Sequence, residues 1–239
     1  MLTESQAIVF LGPPGSGKGT QAARLSVALN IPAISTGDML RRECHSGSPL
    51  GEAVKSILAS GRLVSDDVMN QVVSNRLRHC DCQSGCILDG YPRTLSQARH
   101  LDSLLKNLNK QRPVVFDFQI SSEEIVSRLS CRRQCVQCGQ TVSVNGETDG
   151  TDLLCDRDGS PLIRRSDDNP ASIRERLRLY QRNANQLLRY YRNQNYHRIC
   201  ATRSADQVCE ELLNVLASSW SAPVLRRSAT VLPQPVLSA

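Results

Sequence analysis

The densest chemistry in the chain lies near its start. Ile8-Val9-Phe10-Leu11 runs into Gly12-Pro13-Pro14-Gly15-Ser16-Gly17-Lys18-Gly19-Thr20 and then into a helical pattern. A strand, a glycine-rich turn and a helix in that order form a cradle for phosphate. Glycines let backbone N–H groups converge on an anion with no Cβ in the way. The helix N-terminus adds positive potential, and Lys18 can reach the outer phosphates. The loop departs from the strict GxxxxGK[ST] form, because Gly19 follows the lysine and Thr20 comes next.

A second chemical cluster is Cys135-x2-Cys138-x16-Cys155-x2-Asp158. Two close donor pairs separated by a loop can set four ligands tetrahedrally around Zn²⁺, with a carboxylate as an acceptable fourth ligand. Four protein ligands leave no open coordination position, so the expected metal is structural. It replaces a core that a lobe of about 38 residues cannot build. The remaining cysteines, Cys44, Cys80, Cys82, Cys86, Cys131, Cys200 and Cys209, receive no role. Cys80-Asp81-Cys82 with Cys86 reads as thiols around a surface turn and a strand. His45, His79, His100 and His197 show no ligand pairing, and no histidine lies near the phosphate loop.

The elements that position these groups alternate. Short apolar runs at Ala7–Leu11, Ile31–Ser35, Gly85–Tyr91, Pro113–Ile120 and Tyr196–Ala201 suit strands buried on both faces. Helical patterns are expected at Gly17–Leu29, Thr36–His45, Leu50–Ser60, Ser65–Arg78, Thr94–Leu108, Ser121–Ser130, Ala171–Tyr191 and Ala205–Ala217. In the long 171–191 pattern, Ile173, Leu177, Tyr180, Ala184, Leu187 and Tyr191 form one stripe, and Arg174, Arg176, Arg178, Arg182 and Arg189 occupy the other faces. Such alternation predicts an α/β fold with a parallel sheet and right-handed crossovers. Residues 36–64 hold two short helices that interrupt it, and residues 131–168 read as a small β or loop lobe. The proline-containing stretch after Ser221 reads as a disordered tail.

Composition narrows the function. The net charge of +6 comes from 29 basic and 23 acidic residues. It suits nucleic acid, acidic lipid or polyphosphate alike, and the placement of the arginines decides among them. Aromatics are only 4%, too few for a base-stacking platform. No apolar run approaches the roughly 20 residues needed to span a bilayer, and the first residues lack a basic start and a long apolar stretch. Cytosolic placement with reduced thiols is therefore the expectation, despite ten cysteines.

The GPPGSGKGT loop is the variant carried by nucleoside monophosphate kinases, and the likeness grows downstream. Ser35-Thr36-Gly37-Asp38-Met39-Leu40-Arg41, Gly61-Arg62-Leu63-Val64-Ser65-Asp66, Leu88-Asp89-Gly90-Tyr91-Pro92-Arg93-Thr94 with Gln97, and Arg164-Arg165-Ser166-Asp167-Asp168-Asn169 follow in order. Together they resemble adenylate kinases of the long, bacterial type over roughly residues 5–218. The resemblance implies a P-loop kinase fold, a five-stranded parallel sheet flanked by helices. Its core would be 1–35, 65–130 and 169–218, with a helical AMP-binding insert at 36–64 and a zinc-bearing lid at 131–168. The segment 219–239 is left as a disordered tail.

The same resemblance implies reversible transfer, MgATP + AMP = 2 ADP, by in-line attack, and a part in adenine nucleotide homeostasis. Gly15, Ser16, Gly17, Lys18, Gly19 and Thr20 would hold ATP phosphates. Arg128, Arg132, Thr141, Val142 and Arg203 would add further ATP contacts. Thr36, Arg41, Arg62, Leu63, Val64, Gly90, Tyr91, Pro92, Arg93 and Gln97 would line the AMP site. Arg165 and Arg176 would reach the phosphates of both nucleotides, so that Lys18, Arg93, Arg132, Arg165 and Arg176 form the catalytic set. Asp89 would hold Mg²⁺ through water. Thr36 and Gln97 favour adenine, since related pyrimidine kinases usually carry Ala and Asn there. The lid departs from the family pattern: Thr141-Val142-Ser143-Val144 replaces the usual aromatic, and Asn145-Gly146-Glu147-Thr148 replaces Asn-Pro-Pro-Lys. The family implies a monomer with no nucleic-acid or membrane partner. Three other readings are a kinase for another nucleoside monophosphate, a zinc-ribbon ATPase that binds nucleic acid, and a nucleotide sensor without turnover.

Overall fold

The computed structural model describes residues 6–46, 48–60, 62–144 and 153–219. Except for Ser219, the expected tail lies outside them, as do Gly61 and residues 145–152 of the expected lid.

Five parallel strands form the central sheet: β1 (Gln6–Leu11), β2 (Ala33–Ser35), β3 (Gly85–Asp89), β4 (Gln111–Gln119) and β8 (Tyr196–Cys200). Their spatial order is β2-β3-β1-β4-β8. β1 therefore sits at the centre, with Val9 beside Leu88 on one side and Val115 on the other. Every residue of β1 is buried, as a strand covered on both faces requires.

Strand alternation sorts the core into two layers. Ala7, Val9 and Leu11 pack with Leu88 and Val115 against helices on one face. Those helices are α2 (Thr36–His45), α3 (Pro49–Ala59), α4 (Asp66–Leu77), α5 (Leu95–Asn107) and α7 (Pro170–Tyr191). Ile8 and Phe10 pack with Phe116, Phe118 and Ile199 on the other face. There they meet α1 (Lys18–Leu29), through Ala22, Leu25 and Leu29, and α8 (Ala205–Ser219), through Val208, Leu212 and Leu216. Full burial of each such aliphatic side chain stabilises by about 1.5–3 kcal/mol before entropy is counted.

Helix starts follow their caps. Ser35 accepts from Asp38 N, Ser48 from Gly51 N, Thr94 from Gln97 N, and Asn169 from Ser172 N. Each side chain satisfies an N–H that the helix itself leaves unpaired. Ser121 does the same at Glu124 N for α6 (Ser122–Ser130).

After α6 the chain leaves the sheet for a three-stranded antiparallel unit: β5 (Arg132–Cys135), β6 (Thr141–Ser143) and β7 (Leu162–Ile163), in the order β6-β5-β7. A 3₁₀ turn at Ser166–Asp168 returns it to α7. The expected elements are all present. The main differences are short 3₁₀ turns at Cys80–Cys82 and Ser166–Asp168 and an earlier start for β4.

Candidate active site

A cleft of about 970 Å³ opens at the carboxyl ends of the parallel strands, the edge where open sheets bind ligands. The phosphate loop forms its floor. Gly12 has φ of 137°, and a Cβ there would lie 2.9 Å from the Phe118 carbonyl oxygen, so no other residue fits without a shift. Gly17 caps α1 and no side chain bonds the first helical N–H groups, which leaves donors that suit an anion. Lys18 Nζ donates to the carbonyls of Gly12 at 2.9 Å and Pro13 at 2.6 Å, and to Ser16 Oγ at 3.1 Å. Its pKa is lowered to about 8, first because the ammonium is withdrawn from water and then because Arg93, Arg176 and Arg132 repel it; Asp89 opposes both. Asp89 ends β3 and faces the first turn of α1, with Oδ2 lying 3.4 Å from where a Cβ on Gly19 would stand.

Across the cleft, arginines gather around two neighbouring carboxylates. Asp168, with a side chain fully removed from solvent, accepts Arg132 Nε at 2.6 Å and a second bond from Arg132 Nη2, and Arg176 Nη1 at 3.0 Å. Asp167 accepts Arg165 Nε at 3.0 Å, and its carboxylate lies 3.2 Å from Arg176 and 3.8 Å from Arg41. Burial acts to raise the Asp167 pKa, but Arg176, Arg165 and Arg41 together hold it at about 2. Arg176 is pushed down to about 10 by burial, with Arg132 and Arg165 adding like-charge repulsion against the pull of Asp167 and Asp168. Asp168 in the 3₁₀ turn and Arg176 in the second turn of α7 thus fasten β5 to α7 by charge.

The insert side is tied to β3. Thr36 Oγ1 donates to the Gly90 carbonyl at 2.9 Å, and Arg93 Nε donates to the same oxygen at 2.7 Å. Gln97 is buried; its Oε1 accepts from Arg93 N at 2.7 Å and its Nε2 donates to Asp66 Oδ1 at 2.7 Å. Arg62, Leu63, Val64, Gly90 and Pro92 line the cleft with Thr36, Arg41, Arg93 and Gln97. Tyr91 departs from the expectation. It is fully buried, does not line the cleft, and donates from its hydroxyl to Asn70 Oδ1 at 2.6 Å. The chain bends at Gly90 (φ 81°) beyond the end of β3, and the Tyr91 ring packs into the core.

The other expected nucleotide contacts, Gly15 through Thr20, Arg128, Arg132, Thr141, Val142, Arg165, Arg176 and Arg203, all line the cleft. Arg128 is held by Glu124 at 2.8 Å and Arg203 by Glu211 at 3.2 Å. Sequence reasoning gave no role to Asp38, Asp66, Asp167 and Asp168. All four lie inside quoted signatures, and the excess of neighbouring arginines was the available signal for them.

At the lid's far end, one donor atom each from Cys135, Cys138, Cys155 and Asp158 lie within 4.8 Å of one another and could hold a metal ion. Cys138 Sγ and Cys155 Sγ are 3.7 Å apart, and Cys135 Sγ lies 3.3 Å and 3.4 Å from the Asp158 oxygens. Backbone N–H groups of Gln137 and Cys138 point at Cys135 Sγ, both at 3.4 Å, a pattern that supports a thiolate. Among the described residues no other such group occurs, including around Cys80, Cys82 and Cys86.

Comparison with known proteins agrees with this geometry. The adenylate kinase family model matches residues 10–196. Adenylate kinase of Thermosipho africanus is 43% identical over 210 residues, 87% of this chain and 98% of the relative. That of Archaeoglobus fulgidus is 42% identical over 87% of this chain and 97% of its own length, and that of Petrotoga mobilis 42% over 88% and 97%. With its phosphate loop, arginine-lined cleft and parallel sheet, the chain belongs to the adenylate kinase family and is an ATP:AMP phosphotransferase.

Proposed function

We propose that the phosphate loop and lid hold ATP while the insert and the end of β3 hold AMP, so that the two nucleotides meet end to end among Lys18, Arg93, Arg132, Arg165 and Arg176. The observation that carries this reading is the convergence of these five cations on one cleft. Phosphoryl transfer asks little covalent work of the protein and much charge neutralisation and alignment. An AMP phosphate oxygen attacks the ATP γ-phosphorus in line, the bond to the β,γ-bridging oxygen breaks, and ADP leaves from both sides. Guanidinium groups suit this role because they grip phosphate oxygens in pairs and stay charged. Lys18 exchanges its loop carbonyls for phosphate oxygens. Thr36 and Gln97 orient the AMP base side, with Asp66 fixing the Gln97 amide.

Adenylate kinases use Mg-ATP, and Asp89 is the residue we assign to the ion. Its carboxylate faces Gly19 at the cleft floor, as a hard cation that keeps most of its waters requires. Bound Mg²⁺ would neutralise phosphate charge. For the lid, zinc is the proposed metal. A tetrahedral ion with bonds of about 2.3 Å to sulfur and 2.0 Å to oxygen has donor–donor edges of about 3.8 Å and 3.5 Å. The corresponding spacings here are 3.7 Å for Cys138–Cys155 and 3.3–3.4 Å for Cys135–Asp158. The proposed division is a core of 1–35, 65–130 and 169–218, an insert at 36–64 and a lid at 131–168. All ten cysteines are unpaired, which supports a reducing, cytoplasmic setting. Because one chain supplies the whole cleft, we take the working unit to be a monomer. Among the described residues no helix is long and apolar enough to cross a membrane.

The test is ADP formation from MgATP with AMP, GMP, CMP or UMP, on a sample whose zinc content is measured. AMP is expected to be the preferred acceptor, with about one zinc per chain. AMP performing no better than CMP or UMP would remove the adenine assignment.

A further inference from the structure

The arginines that line the cleft are almost all engaged with the protein itself. Arg132 and Arg176 bond Asp168, Arg165 bonds Asp167, Arg128 bonds Glu124, and Arg203 bonds Glu211. Arg157 differs. It is exposed, lines the same cleft, and among the described residues forms no hydrogen bond or ion pair. It also sits between two of the four clustered donors, Cys155 and Asp158.

That position fixes its backbone. Cys155 N donates to the Ser160 carbonyl at 2.8 Å, Gly159 N to the Cys155 carbonyl at 2.8 Å, and Ser160 N to Asp158 Oδ1 at 3.0 Å. The turn is closed on itself by these bonds, so the base of the Arg157 side chain is held while its guanidinium is free. The nearby cleft wall from the lid is Gly139, Gln140, Thr141, Val142 and Ser143. None of these carries a charge or a ring, so Arg157 is the cation that the distal lid brings to the cleft.

We propose that Arg157 is an ATP-binding residue, which contacts the polyphosphate of ATP from the lid. This rests on the reading that the lid side of the cleft takes ATP. A guanidinium with no counter-ion among the described residues can meet phosphate without first breaking an ion pair, unlike Arg132. Its contact is charge-based, so the ligand group is the phosphate chain and not the base. Because the clustered donors flank it, a metal held by them would also fix the base of this side chain.

The experiment uses the full chain and calorimetric titration with MgATP, AMP and adenosine, with metal content measured on every sample. For R157A, the dissociation constant for ATP is expected to rise about fivefold, the size of a charged hydrogen bond discounted for solvent exposure. R157K should retain most of the affinity and R157E should lose more than R157A, with metal content equal throughout. AMP and adenosine should bind within about twofold of the unsubstituted chain in every variant. ATP affinity that ignores the Lys, Ala and Glu series, or adenosine weakened as much as ATP, would overturn the assignment. An unsubstituted chain that fails to bind ATP at all would instead overturn the reading of the cleft.

Discussion

Lys18 shows how far one side chain is shaped by its surroundings. Crowded by protein and by three arginines, its ammonium loses a proton near pH 8 in the ligand-free state, against an ordinary value of 10.5. The direction fixes a prediction. Below about pH 8 the lysine is charged and can receive phosphate; above it, a growing fraction is neutral. The kcat/KM for ATP, which reports the free enzyme, should therefore decline as pH rises through about 8. With ATP bound, the phosphates favour the charged form, so kcat should hold to higher pH. A pH profile at saturating AMP separates the two, and parallel profiles would contradict the assignment. Gln97 makes the opposite point. Its amide is committed to Arg93 N and Asp66, so it is held in one orientation by its neighbours.

At the scale of elements, the junction between β5 and α7 depends on Asp168. Two arginines from different elements share one carboxylate that no water reaches. Removing one partner of such a buried group is costly, because the others keep their charge without compensation. Asp168→Ala is expected to lower stability by about 3–5 kcal/mol, read by urea denaturation, and to lower activity further by releasing Arg132 and Arg176. A loss under about 1 kcal/mol would show that the pair is solvated in solution. These acids mark the boundary of what sequence could tell. The strands and helices were legible because burial on both faces leaves continuous apolar runs and because a helix with one buried face repeats its apolar residues every three to four positions. The phosphate loop and the arginines were legible as fixed local patterns. The Arg132–Asp168 bond joins residues 36 positions apart, and no local rule pairs them. The Tyr91 ring was not legible for a related reason: it sits within a signature whose neighbours line the cleft, and its packing and its bond to Asn70 come from residues distant in sequence.

For the whole molecule, stability divides between a sheet with two apolar layers and the β5–β7 unit, whose described residues bury almost none. Among the lid's described residues only Cys135 and Cys155 are buried apolar side chains, and both belong to the metal cluster. Chelation of a metal bound at Cys135, Cys138, Cys155 and Asp158 is thus expected to unfold the β5–β7 unit while the parallel sheet persists. Limited proteolysis should cut there first, and far-UV circular dichroism should lose little helix; equal protection with and without chelator would refute the expectation. The carboxylates opposite the arginines have one more effect. Arg132, Arg165 and Arg176 already have a protein carboxylate as counter-ion before any nucleotide arrives. A phosphate chain must therefore compete with anions built into the wall, and part of its attraction to these cations is spent in that competition.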